Sequence, residues 1–182
     1  EKERKTLEEN LFTYHKRLLD EFSFNDSYDN LLSYRFVPLI RFGVVLQRPD
    51  FIHEMVGQWE KLLRYSYAPD GFWKEVTPGY HQQVTGRVME MTPSVLKGYS
   101  DPEGYVDPKT GERFDNLDLD RRAAAQFARM REGLSVLAMP DGFMVSLNDD
   151  WPKGQKVPEE MVGAMNKPGL LGVSGVAKLG VD

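Results

Sequence analysis

The stretch DGFWKEVTPGYHQQVTGR, residues 70–87, decides how this chain is read. Asp70-Gly71 is a turn signal, and Thr77 before Pro78 is a favoured helix start: a capping side chain, then a residue whose missing N–H costs nothing in a first turn. Tyr80, Val84, Arg87 and Met91 then share one helix face at spacings of four, three and four. An aromatic loop therefore runs straight into a helix. The chain has three histidines, and one of them, His81, stands beside Tyr80 in that helix's first turn.

Outward from this stretch the pattern is mostly helical. Leu7, Leu11, Tyr14, Leu18 and Phe22 recur at three- and four-residue steps, the apolar face of an amphipathic helix. A turn-rich segment, residues 23–30, precedes a second helix carrying Leu31, Leu32, Phe36, Leu39, Ile40 and Val44, with Pro38 expected to kink it or mark its first turn. A third carries Phe51, Ile52, Met55, Val56, Trp59, Leu62 and Leu63. The fourth, capped by Thr77, points Val84, Val88 and Met91 inward. Residues 98–118, rich in Pro, Gly and Asp, read as a surface excursion. A fifth helix is expected over 119–137, with Ala123, Phe127, Met130, Leu134 and Leu137 repeating along it.

Beyond the MPDG turn the pattern changes. Residues 143–147 and 170–182 are short, apolar and glycine-punctuated, as strands are, with a short helix expected at EEMVGAM between them. The fold class is thus mainly α, built of antiparallel helical hairpins, with a few β-strands at the C-terminal end. The division falls near 140: residues 1–140 are helical, and 141–182 hold a connection and the first strands of a β domain. Glu1 stands inside a helical pattern and Asp182 inside a strand-like run, so the sequence reads as a piece of something longer.

Bulk numbers narrow the function. Apolar residues make up 41% of 182, enough for a sizeable core. With 28 acidic and 23 basic residues the net charge is −5 and no Lys/Arg stripe stands out, which argues against a nucleic-acid partner. No apolar run approaches the roughly 20 residues that span a bilayer. There is no cysteine, hence neither a disulfide framework nor a thiolate site. No histidine pair has His-x3-His spacing, and the acidic loop lacks the calcium-loop order, so no metal is expected within this chain. His15 and His53, amid charged residues, read as solvated.

At the opening stretch two readings compete. Tyr80 and His81 at a helix start commonly pack with their bodies and hydrogen-bond with their tips. Alternatively, a cation near a phenol favours its phenolate, so Arg87 would ready Tyr80 to exchange a proton with a substrate. His81 would then handle negative charge, and Trp73 would offer a platform for a sugar ring.

The stretch DGFWKEVTPGYHQQVTGRVME resembles the segment of heparinase II/III-like polysaccharide lyases that runs from Asp-Gly through an aromatic and Glu to a helix opening on Tyr-His. MREGLSVLAMPDGFMVSLNDD (residues 130–150) is similar to a later helix and Pro-Asp-Gly segment of that family. GVSGVAKLGVD resembles the start of its β-sandwich. The resemblance implies an (α/α) toroid, periplasmic or secreted location, and β-elimination on a uronic-acid polysaccharide. Tyr80 would be the general acid and base, with His81 beside it and Asn30 masking the substrate carboxylate. Arg35 stands in reserve for Asn30, which also suits a plain N-cap.

Trp73, Glu75, Arg87, Asp149 and Trp151 would line the substrate cleft. The segment departs from the family in lacking an Asn-His pair on the second helix. The partners implied are an acidic polysaccharide and the rest of the same chain, without which this piece would be inactive. No cofactor is implied here, and a structural metal would belong to the β domain. Two rivals remain: a non-catalytic carbohydrate-binding or scaffold domain of the same fold, and an α/α-barrel glycoside hydrolase. The hydrolase needs two carboxylates about 5–10 Å apart, for which Glu75 and Asp149 are the pair on offer.

Overall fold

The computed structural model describes residues 2–24, 28, 30–148, 150, 156–157, 159–164, 169–171 and 176–178. The side chains of His15 and of residues 18–24 lie outside that description. In order the elements are α1 (Lys2–Phe24), α2 (Asn30–Val45), α3 (Pro49–Tyr65), α4 (Pro78–Gly86), a π-helical turn (Arg87–Met91), α5 (Thr92–Leu96), α6 (Leu119–Arg122) and α7 (Ala124–Val136). A 3₁₀ turn (Glu159–Ala164) and the strands β1 (Gly169–Leu171) and β2 (Val176–Lys178) follow. The protein is mainly helical.

α2 and α3 form an antiparallel hairpin whose facing stripes make the core. Leu32, Phe36, Leu39 and Ile40 pack against Ile52, Met55, Val56, Trp59 and Leu62, all buried. The two helices close up at Gly43, where a Cβ would come within 2.8 Å of the Ile52 side chain. Pro49 opens α3 at a position where no N–H is needed, and α2 runs through Pro38 on its exposed side. On α1, among the described side chains, Phe12 packs on the core, edge-on to Phe51 at 5.3 Å and covered by the Arg48 guanidinium at 4.4 Å. Leu7 and Tyr14, expected on the packing face, are exposed.

Four expectations are corrected. The inward set of the fourth helix is Val84, Val88 and Met89, while Met91 is exposed, because the π turn inserts one residue into the ladder. The helix over 119–137 is broken at Ala123 (φ −110°, ψ 14°), although Ala123, Phe127, Met130, Leu134 and Leu137 are all buried as its stripe requires. Residues 98–118 are no mere excursion: Tyr99 bridges Leu117, and Phe114, Leu117, Asp101 and Asp107 are buried. That fold-back also overturns the solvated reading of His53, which is 8% exposed, lies flat on Phe114 at 3.8 Å, and meets Asp101 Oδ2 at 2.9 Å.

Toward the C-terminal end, Phe143 and Met144 make single bridges to Lys156 and Ala138 around the Met139–Gly142 turn, not the strand expected over 143–147. β1 and β2 pair antiparallel through three residues each, Gly169 opposite Lys178. The segment expected as a short helix is the 3₁₀ turn.

Candidate functional site

The loop before α4 is fixed by backbone contact. Gly71 has φ +83°, and a Cβ there would fall 2.3 Å from the Arg129 carbonyl, so the turn presses directly onto α7. This approach delivers Phe72 and Trp73 to the interior, both 0% exposed. The Trp73 main-chain N–H donates to His81 Nδ1 at 2.9 Å, and His81 Nε2 lies 3.2 Å from the Met130 carbonyl. With Nδ1 accepting, the ring proton belongs on Nε2, donating to Met130. The imidazole sits among Phe72 and Tyr67, fully enclosed, and burial pushes it down to about 4 despite the opposing pull of the Met130 carbonyl and Asp70. His81 is therefore a neutral strut between the loop and α7. Trp73 exposes no ring face for a sugar, and its indole N–H is buried without a partner among the described residues.

Tyr80, one residue earlier, points elsewhere, because neighbours on a helix stand about 100° apart. It is half-buried and packs on the rim of the core. Val84, expected beside it on the reacting face, is fully buried. The outward edge of α4 runs instead through Tyr80, Gln83 and Arg87, at spacings of three and four.

This edge meets α2. The Arg87 guanidinium lies over the Tyr34 ring at 3.3 Å, and its Nη1 donates to Ser33 Oγ at 3.4 Å. The Tyr34 hydroxyl donates to Gln83 Oε1 at 3.3 Å, and Ser33 Oγ donates to the Asn30 carbonyl at 2.6 Å. Among the described residues Arg87 has no carboxylate partner, unlike Arg48 with Asp50 or Arg122 with Glu60 and Glu112. A stacked guanidinium keeps its N–H edge available, and that edge matches a carboxylate in the plane of two donors.

The remaining expected residues fall as follows. Asn30 is the first residue of α2 and joins the cluster through its carbonyl. Arg35, half-buried, stands about 200° round the α2 axis from Ser33, away from Arg87. Glu75 is exposed, with its carbonyl accepting from Asn148 Nδ2 at 3.0 Å. Asp149 and Trp151 lie outside the described residues, so the Glu75–Asp149 separation stays with them. Thr77 holds the N-cap position of α4 but turns its hydroxyl to the Glu75 carbonyl. The capping oxygen comes from Asp150, whose Oδ2 accepts from the Gly79 N–H at 3.1 Å.

Ser33, Tyr34, Gln83 and Asp150 were not singled out from sequence. Gln83 had a readable signal: spacings of three then four fit 80–83–87 as well as 80–84–87, and the polar residue belongs on the outside. The others meet their partners across long separations. Among the described residues no group of three or more metal-ligating acids and histidines gathers, and no helix is long and apolar enough to cross a membrane.

Fold and site together define a mainly α-helical protein with a cation-bearing edge between α2 and α4. Set against family models, curated proteins and solved structures, the chain finds no match.

Proposed function

We propose that this chain is the helical part of a uronic-acid polysaccharide lyase of the heparinase II/III-like kind, an (α/α) toroid segment leading into a β-sandwich, working in the periplasm or outside the cell. The observation that carries the reading is the Arg87 guanidinium, stacked on Tyr34 and lacking a carboxylate partner among the described residues, seven residues from Tyr80 on one helix edge.

The chemistry asked of that edge is β-elimination. Arg87 takes the uronate carboxylate through paired N–H donors, masking the charge that keeps the C5 proton weakly acidic. The Tyr80 phenolate removes that proton, and the electrons of the C5–H bond form the C4–C5 double bond. The C4–O bond breaks, and the departing oxygen takes the proton from Tyr80. Tyr34 and Gln83 hold the guanidinium and shape the rim. His81 and Trp73 contribute by fixing the start of α4.

The enclosure of His81 and Trp73 favours a second reading, a carbohydrate-binding domain of the same fold without turnover. One experiment separates the two. The full-length protein is offered heparan sulfate, hyaluronan, chondroitin and alginate, and growth of the unsaturated-uronate absorbance band is followed. The lyase reading expects turnover that Tyr80→Phe abolishes and that Arg87→Ala lowers in kcat as well as in kcat/KM, because the guanidinium offsets charge that develops as the C5 proton leaves. Wild-type rates in Tyr80→Phe reject the assignment, and binding without any absorbance growth selects the binding domain.

A further inference from the structure

The helix that carries Arg87 contains a proline where an unbroken α ladder has no room for one. In that ladder the Thr92 N–H would bond the Val88 carbonyl and the next N–H would bond the Met89 carbonyl. Pro93 has no N–H, and its ring crowds the carbonyl four residues back. Here the Thr92 N–H reaches back five residues to the Arg87 carbonyl, which also accepts from Thr92 Oγ1 at 2.9 Å. Val88 is thereby left with a carbonyl whose five-residue donor would be Pro93. The missing proton comes from another helix: the buried Trp59 indole on α3 donates to the Val88 carbonyl at 3.0 Å.

We infer that Trp59 and Pro93 are positioning residues for Arg87, together holding the π turn that aims its guanidinium over Tyr34. One inserted residue turns a helix by about 100°. Val88, Met89 and Leu96 anchor the far side of the turn in the core. Returning the turn to α register would rotate the Tyr80–Gln83–Arg87 edge against those anchors and carry Arg87 off the ring. π turns recur at functional sites because they re-aim side chains this way. The inference rests on the proposed anion-binding role of Arg87 but is read separately from it.

The test pairs Pro93→Ala, which restores an N–H to the ladder, with Trp59→Phe, which removes the donor to Val88. The first readout needs no ligand: in ¹⁵N NMR the Arg87 Nε–H proton, shielded by the Tyr34 ring, moves downfield in Pro93→Ala. The second is affinity for a hyaluronan tetrasaccharide, expected to fall about three- to tenfold in Pro93→Ala alone and not further when Pro93→Ala is added to Arg87→Ala. Trp59→Phe should reproduce both changes where it folds, and Pro93→Ala, which introduces a good helix former, carries the test where it does not. An unmoved Nε–H signal in Pro93→Ala, or losses that add in the double variant, overturns the inference. A moved signal with no change in affinity on Arg87→Ala supports the inference and sinks the anion role instead.

Discussion

The main-chain N–H of Trp73 donates to Nδ1 of His81 at 2.9 Å, so folding ties the aromatic loop to α4 through an imidazole that must stay neutral. Its titration point falls from 6.5 to about 4, chiefly because burial penalises the charged ring. The stabilisation from keeping this ring neutral is complete above about pH 6.5. It is lost as pH falls toward 4, since the unfolded chain takes up the proton first. A shift of this size corresponds to about 3 kcal/mol. Urea unfolding of wild type and His81→Gln between pH 7 and 4 should show the wild type losing more stability by about one proton's uptake. Parallel pH slopes would mean the ring is not held neutral.

Asp101 gathers three donors on one carboxylate: His53 Nε2 at 2.9 Å, the Phe114 N–H at 2.6 Å and the Tyr99 hydroxyl at 3.0 Å. Burial raises the Tyr99 phenol well above its usual range, and its bond to Asp101 and that group's charge raise it further. The carboxylate pins the fold-back of residues 98–118 to the first turns of α3. Asp101→Asn turns an amide N–H₂ toward at least one donor and should cost about 2–4 kcal/mol in urea unfolding. Hydrogen exchange should locate the damage: the Phe114 amide exchanges faster while amides of α4 keep their protection. Uniformly faster exchange would show that the loop is not an independent unit.

How much of this was legible depends on the range of the interaction. The stripes of α2 and α3 are local patterns, and spacing shows most of their core residues, although Leu31 and Val44 at the edges of the α2 set are exposed. So was the turn at Asp70-Gly71. The π turn is hidden because its cause, Pro93, acts on carbonyls four and five residues back and is completed by Trp59, 29 residues before Val88. His53 looked solvated because its neighbours in sequence are charged, whereas its partner Asp101 arrives from 48 residues away. Tyr80 and His81 are neighbours in sequence but not on the helix surface. The turn of a helix separates neighbours, and that argument alone would have assigned one to the rim and the other to the interior.

The Tyr34–Arg87 stack allows the ring and the hydroxyl to be tested apart. Tyr34→Phe keeps the π face under the guanidinium at 3.3 Å and removes the bond to Gln83, while Tyr34→Leu removes both. A cation over an aromatic ring at a partly exposed position contributes about 0.5–1 kcal/mol. Tyr34→Leu should therefore weaken uronate oligosaccharide binding about two- to fivefold, with Tyr34→Phe close to wild type. Because the ligand contact is ionic and near the surface, affinity in all three proteins should decline as salt rises from 50 to about 500 mM. Isothermal titration at two salt concentrations reads both effects. Equal losses in Phe and Leu would shift the weight to the Tyr34–Gln83 hydrogen bond, and salt-independent affinity would remove Arg87 from the binding surface altogether.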